Sequence, residues 1–483
     1  MNKLAQLEPS AVFEVFEAIS TIPRESGNEK AISDYIVKLA VEKGLEVIQE
    51  PCYNVIIKKP GSVGKEDLTP VIIQGHLDMV CTKTDESTHN FLTDPIPLGH
   101  DGDWVFTEGT TLGADNGIAV AMALAIVFDP TAEHPPLELL FTVSEETGMD
   151  GASAVDGRHF KGKTLINLDA EMEGFVEASC AGGINCDFVM ATERQTAVLD
   201  LGLEITFKGL KGGHSGIEID KNRSNAIRLM ARFLKALSGK HIFEIGKLSG
   251  GEKMNAIAKV AAVTLNIQSA DKLAVLALLN LLVTAFKQEA ELSDPDLTVA
   301  VKEVPASHTV WNHEKASRWI DLLLLVPNGV QTMSAGLPGL VESSNNMGVL
   351  IEDETSVKLI NAVRSSVQTL KEEILARMYA LGTLVGAEVT QYSDYPAWPF
   401  KAKSPIRDLI QSTYKDLTEQ DMGIEAIHAG LECGLLIERL GDIDMVSFGP
   451  NLESVHTPQE RLSIGSTKRV YELLVEVLKR YKA

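Results

Sequence analysis

The sequence predicts an α/β protein whose largely parallel sheet is interrupted by an inserted α+β domain. Three observations predict it. Apolar strand-like runs alternate with amphipathic helices from Ser10 to about Asp169, the pattern of a helix-covered, largely parallel sheet. Near residues 183–190 the pattern changes to alternating strands, glycine-rich turns and long helices. Histidine and acidic clusters flank that region on both sides, so the second domain interrupts the first.

The elements follow in order. Val12, Val15, Phe16 and Ile19 recur at helical spacing from Ser10 to Ile22, and Pro23 ends the segment. A second amphipathic helix runs from Glu29 to Glu42 and stops at Lys43-Gly44. Leu45–Ile48 and Asn54–Ile57 read as short strands, and Val71–Gln74 as a third that runs into Gly75-His76. Gly113 opens a helix that stays apolar to Phe128. Leu137–Val143 and Lys163–Leu168 are buried strands with Glu145 and Asp169 at their exits.

In the second domain, Leu201–Lys208 alternates as a half-buried strand, and the glycine-rich turn Gly209–Gly216 precedes a helix over Arg223–Leu237. Strand Val260–Ile267, helix Asp271–Leu292 and strand Leu297–Val304 follow. Strands Val349–Ile351 and Ser356–Val363, helix Val367–Leu381 and strand Ala387–Gln391 repeat the grammar, which suggests a duplicated unit. Pro396 and Pro399 mark the exit. The tail returns to helix (Pro405–Asp416), strands (Ile424–His428, Met445–Phe448) and a last helix (Ser466–Arg480). The expected domains are residues 1–185 with 403–483, and an inserted 186–402.

Composition narrows the function. With 483 residues the chain exceeds one small core. Lys+Arg 44 against Asp+Glu 67 gives a net charge of −23, which argues against nucleic-acid and anionic-membrane partners. Met1 to Pro9 contain no apolar signal core, and Ile118–Phe128, taken as the longest uncharged apolar run, is too short to span a bilayer. The five cysteines show no zinc-finger spacing and fit reduced thiols in a cytoplasmic protein. Any metal is therefore held by oxygen and imidazole.

Five clusters carry the chemistry: His76-Leu77-Asp78, Asp115-Asn116, Glu145-Glu146, Asp169 and His456. His76, Glu145, Asp169 and His456 follow strand-like runs, and ligand sites gather at the carboxyl ends of parallel strands. Asp115 stands at a helix start, where the dipole favours an anion and where an Asp on its own reads equally as an N-cap. Two closely spaced divalent ions need a shared carboxylate, and an imidazole and a further carboxylate for each. His76, His456, Asp115, Glu146 and Asp169 supply that set. Asp78 is spaced to accept from the other ring nitrogen of His76. Of the adjacent glutamates, one binds metal and the other serves as base.

The segments Gly75-His76-Leu77-Asp78-Met79-Val80, Thr111–Gly117, Thr142–Met149 and Leu168-Asp169 resemble the successive motifs of the co-catalytic di-zinc exopeptidases of the aminoacylase/carboxypeptidase-G type. Gly209–Gly216 and His428-Ala-Gly-Leu-Glu-Cys-Gly434 are similar to the aminoacyl-histidine dipeptidase branch, and the resemblance runs from Ile22-Pro23 to His456-Thr457-Pro458. It implies a di-zinc catalytic domain with an inserted lid built as a duplicated ferredoxin-like sandwich. Asp115 would bridge two ions, most simply zinc, with manganese or cobalt compatible. Glu146 and His456 would complete one ion, and His76 and Asp169 the other.

The resemblance further implies that Glu145 is general base and then acid towards a water between the ions, and that Asp78 orients His76. His214 would stabilise the oxyanion; as a residue alone it reads equally as part of a glycine-rich turn. Asn255 and Gly430 match substrate-side positions, although Ala258 stands where relatives carry proline. Arg364 would pair the substrate carboxylate or lie on a solvated strand face. Glu432 would meet the free amine or be structural. The expected activity is hydrolysis of unblocked dipeptides such as Xaa-His and β-alanyl-histidine. An N-acyl amino-acid deacylase, a carboxypeptidase and a non-catalytic ligand-binding homologue are the alternatives. A monomer and a homodimer are both compatible.

Overall fold

The computed structural model describes residues 3–482. Met1, Asn2 and Ala483, which the expected domain bounds and the reading of the N-terminus include, lie outside the described residues. The chain forms two compact units: one holds the residues up to Ser179, Trp398–Ala426 and those from Leu431 on, the other Cys180–Ala397 and Ile427–Gly430. The boundaries expected at 185/186 and 402/403 thus fall at 179/180 and 397/398. Ile427–Gly430, expected with the tail, belongs instead to the second unit. The Ala181 N–H donates to the carbonyls of Ile427 and Ala429, and His428 Nε2 lies 2.7 Å from Ser344 Oγ.

The first unit is built on an eight-stranded sheet. Its middle strands Leu137–Thr142, Val71–His76, Thr164–Asn167 and Asp444–Ser447 are parallel neighbours in that order. Val71–His76 and Leu137–Thr142 are buried at every residue, as continuous apolar strands covered on both faces should be. The flanking strands Glu46–Gln49 and Val55–Lys59 pair antiparallel, and so does Phe175–Cys180 against Asp444–Ser447. The sheet is therefore mixed, with a parallel centre, rather than largely parallel throughout. Helix Ala114–Phe128 is buried along almost its whole length among Phe13, Phe16, Ile73 and Phe141.

A separate four-stranded sheet was not foreseen. Leu98–Asp101, Trp104–Thr107, Arg461–Ser463 and Leu452–Glu453 form it. His456 sits in its 454–460 loop, not at the end of a parallel strand. That hairpin has two- and three-residue strands, too short for periodicity to show.

The second unit contains two βαββαβ modules, each in the ferredoxin-like arrangement. The first comprises Leu201–Lys208, Ala226–Ser238, Phe243–Gly250, Ala261–Ile267, Lys272–Glu289 and Thr298–Val304. The other comprises Gly182–Ala191, His313–Leu325, Val341–Glu352, Ser356–Ser365, Gln368–Val385 and Glu388–Tyr395. The first is threaded between the opening strand and first helix of the other, and Gly250 pairs with Leu350 to make one continuous sheet. The nesting separates equivalent segments in sequence. Strand Val341–Glu352 starts eight residues earlier than the apolar run 349–351 suggests, because Ser343, Ser344, Asn345 and Asn346 are buried polar residues.

Helix Lys272–Glu289 lies in the one stretch among the described residues, Ser269–Glu289, that is long and apolar enough to cross a membrane. It is longer than the run at 118–128 taken as the longest. Val275, Leu278, Leu279 and Phe286 of this helix join the core of the second unit. Phe233 is fully buried there, with its ring 6.3 Å from that of Phe207. Phe233→Ala should lower unfolding free energy by about 3–5 kcal/mol, measured by denaturant titration.

Candidate active site

In the first unit, strand exits and two loops bring the expected ligands together. His76 is the last residue of Val71–His76, and Asp169 follows Thr164–Asn167, where its N–H donates to Asn167 Oδ1 at 3.2 Å. After Leu137–Thr142 the chain turns at Ser144 (φ 56°) into the short helix Glu145–Gly148, which presents both glutamates. Asp115 enters helix Ala114–Phe128. Its Oδ1 lies 3.2 Å from His76 Nε2, and its Oδ2 lies 3.1 Å from His456 Nε2. One carboxylate thus faces two imidazoles with different oxygens. Asp169 Oδ1 is 3.4 Å from His76 Nε2, and Glu146 Oε2 is 3.0 Å from His456 Nε2. Ligand atoms around one ion with bonds of about 2.0–2.1 Å stand about 3.3 Å apart, so these spacings fit. Asp115 thus stands between two pairs, His76 with Asp169 and His456 with Glu146, and ligand atoms of His76, Asp115 and Glu146 also lie within 4.8 Å of one another.

Electrostatics gives the same reading. Burial alone would lower His76, but Asp169, Asp115 and Asp78 hold it well above its ordinary value. Hydrogen bonds to Asp115 and Glu146 raise His456 to about 11. Burial raises Asp169 and Glu146, and raises Glu145 to about 9 against the opposing pull of His76. Burial also opposes ionisation of Asp115, yet His456 and His76 hold it below the ordinary carboxylate range. Two protonated imidazoles therefore stand where cations would relieve the crowded carboxylates.

Asp78 is fully buried. Its Oδ1 is 3.3 Å from His76 Nδ1 and accepts from the Glu145 N–H at 3.1 Å; its Oδ2 accepts from the Glu146 N–H and Ser26 Oγ. It therefore ties His76 to the backbone of both glutamates. Asn116 accepts from the His76 N–H and donates to the Leu168 carbonyl, linking two strand exits.

Glu432 is also fully buried. Its Oε2 accepts from Thr142 Oγ1 at 2.7 Å and from Gln74 Nε2 at 2.6 Å, while Oε1 has no hydrogen-bond partner. Gln74 Oε1 accepts from Asn167 Nδ2. This chain of bonds crosses three adjacent strands behind His76 and Asp169, so Glu432, at the start of helix Glu432–Leu440, is bonded to the sheet that bears them.

Two buried supports escaped the reading of the sequence. Glu460 accepts four backbone N–H groups, from Leu112, Gly113, Ala114 and Asp115 at 2.7–3.3 Å. It thereby joins the His456 loop to the Asp115 turn, as an anion at a helix N-terminus should. Arg24 donates to the carbonyls of Leu77, Asp78 and Gly113. Arg24 directly follows the Ile22-Pro23 segment, but nothing in its spacing marks it. Glu460 carried no signal beyond its closeness to His456.

The second unit holds a separate constellation. His214 Nδ1 accepts from the N–H groups of Gly216 and Ile217, each at 3.2 Å, which leaves the ring proton on Nε2. Burial and the Arg364 charge lower its pKa, so it is a neutral donor. Asn255 is exposed on a loop whose flanking Met254 and Ala256 carbonyls accept from Asn346 Nδ2. Arg364 Nη1 donates to Tyr395 Oη at 2.8 Å, and its buried Nε has no partner. His428 lies 2.7 Å from Ser344, and burial with the Arg364 charge drives it down to about 3. Gly430 belongs to this unit. Ser344, Asn346 and Tyr395 were missed because a polar residue inside a strand carries no periodic signal.

A parallel-centred sheet beside which one carboxylate is shared between two histidine-containing groups, one at a strand exit and one in a loop, is the arrangement of a metallohydrolase. The model of peptidase family M20/M25/M40 matches residues 72–480, and the chain belongs to that family. It is 38% identical over 487 residues to the cytosol non-specific dipeptidase of Escherichia coli (strain K12), covering 100% of both chains. It matches the crystal structure of aminoacylhistidine dipeptidase from Vibrio alginolyticus with a TM-score of 0.95 at 35% identity, over 99% of each chain. Aminopeptidase PepT from Bacillus cereus shares the fold, with a TM-score of 0.57 at 14% identity over 98% of each chain.

Two predictions follow from the charges and supports. Metal enters only as the imidazoles lose protons. Because His456 holds its proton up to about 11 in the metal-free protein, affinity should rise with pH between 6 and 8. Calorimetric titration with Zn²⁺ in buffers of different ionisation enthalpy should show at least one proton released per chain; pH-independent affinity contradicts this. Glu460→Gln should cost about 1.5–3 kcal/mol of stability and weaken metal binding, read by thermal melts and the same titration.

Proposed function

We propose that the protein is a metal-dependent dipeptidase that hydrolyses unblocked dipeptides, Xaa-His and β-alanyl-histidine among them. The observation that carries this reading is Asp115, whose two oxygens face His76 and His456 at 3.2 and 3.1 Å, with Glu145 Oε2 4.0 Å from His76 Nε2. His76, Asp169 and Asp115 would hold one divalent ion, and His456, Glu146 and Asp115 a second. Zinc is the default for this nitrogen and oxygen set, with manganese and cobalt compatible. Bound there, the ions supply Lewis acidity to the peptide carbonyl and acidify water.

The chain's own residues do the rest. Glu145 takes the proton of the attacking water and returns it to the leaving amine nitrogen. Asp78 fixes the His76 ring and the Glu145 backbone. His214 Nε2–H donates to the carbonyl oxygen as negative charge develops. Arg364 pairs the free carboxylate of the substrate, Asn255 lines the same cavity, and Gly430 is a further substrate-side residue. A clamp on that carboxylate selects substrates with a free C-terminus. The resemblance to dipeptidases along the whole chain supports the substrate class. The acidic charge and five cysteines without zinc-finger spacing suit a cytoplasmic enzyme, one that needs no nucleic acid or membrane and works as a monomer or a homodimer.

Glu145→Gln should lower kcat on a dipeptide by about 10²–10⁴-fold while metal content is retained; a near-normal rate rules out its role. Dialysis against chelator should abolish activity, and Zn²⁺, Mn²⁺ or Co²⁺ should restore it. Hydrolysis of N-acetylated amino acids with none of free dipeptides would replace this reading with a deacylase.

A further inference from the structure

We infer that Tyr395 is the positioning residue of the carboxylate clamp: its hydroxyl fixes the Arg364 guanidinium so that one edge is free for the substrate. This rests on the reading of Arg364 given above.

Strand Glu388–Tyr395 pairs regularly with Gly182–Ala191 from Glu388 to Tyr392, and then the register shifts before Tyr395 meets Gly183. Ser393 in the shifted segment has φ 55°, the left-handed region that a non-glycine residue adopts at a cost. An irregularity of this kind re-aims the side chain that follows it. Lys371 holds it in place. This lysine is buried in helix Gln368–Val385, and its Nζ donates to the Tyr395 carbonyl at 3.2 Å and pairs with Asp394.

Across the pair, Gly183 leaves the space the phenol fills. A Cβ at that position would collide with the Tyr395 ring and hydroxyl. Glycine is needed here for a close approach of side chain to backbone.

The hydroxyl thus placed accepts from Arg364 Nη1 at 2.8 Å. Burial raises the phenol against the pull of Arg364, so it remains a neutral acceptor. Arg364 Nε is buried and has no hydrogen-bond partner. With Nη1 committed to the tyrosine, the Nε–Nη2 edge is the pair of parallel donors left for a carboxylate. Arg364, Tyr395, Gly183 and Asn255 line one cavity of about 160 Å³, room for a carboxylate and part of a side chain. Without the hydroxyl the guanidinium keeps its charge but loses its fixed edge, so binding of a carboxylate suffers and chemistry at the peptide bond does not.

The test uses the metal-loaded full chain with alanyl-histidine and its C-terminal amide. Tyr395→Phe should raise KM for the free acid about 3- to 10-fold with kcat within about twofold, and leave KM for the amide unchanged. Gly183→Ala, which displaces the ring, should give the same signature. In an Arg364→Ala background, Tyr395→Phe should add nothing. An unchanged KM for the acid in Tyr395→Phe, or equal changes for acid and amide, overturns the proposal while Arg364→Ala still raises KM for the acid. If Arg364→Ala leaves that KM unchanged, both the clamp and the role of Tyr395 fall.

Discussion

Like-charge repulsion is the constraint on which the catalytic unit is built. Asp115, Glu145, Glu146 and Asp169 crowd one edge of a sheet, with Asp78 and Glu432 buried behind them. Two imidazoles are the cationic groups closest to these carboxylates, and both are held protonated by them. Neutralising charge must come from outside the chain, and divalent ions do it with the least rearrangement, since the donor atoms already stand at ligand spacing. Backbone groups add counter-dipoles to the same carboxylates. Glu460 takes four N–H groups of the Asp115 turn, and Asp78 takes the N–H groups of both glutamates. Arg24 gathers the carbonyls of the same loops.

The second unit solves a different problem: presenting donors without adding a mobile charge. His214 is kept neutral by burial and by Arg364, and its tautomer is set by two backbone N–H groups. Arg364 is the fixed cation, and its orientation depends on a tyrosine delivered by a strand irregularity. Both units therefore use rigid backbone to aim side chains, as a preorganised site requires.

Most of the candidate metal ligands were legible because the strand or helix start that bears them is strongly apolar. Val71–Ile73 and Leu137–Phe141 announce their exits at His76 and Glu145. His456 was singled out as following a strand-like run, but it lies in a loop whose two short flanking strands give no period. The division into two groups around Asp115 came from the resemblance and not from the residues alone, because it depends on which oxygen meets which imidazole. Arg24, Glu460, Ser344 and Tyr395 were invisible for a common reason: their roles are hydrogen bonds to residues distant in sequence. The duplication in the second unit was expected, but the nesting of one module within the other escaped for a topological reason. The segments that correspond to one another are interrupted by a whole module.

The proposed dipeptidase depends on Asp115 serving two ions. Elemental analysis of protein stripped by chelator, reloaded and freed of excess metal measures this directly. Two equivalents of divalent metal per chain in the wild type, falling to one or fewer in Asp115→Asn, are the predicted result. A fully active wild-type protein that retains one equivalent or none would contradict it.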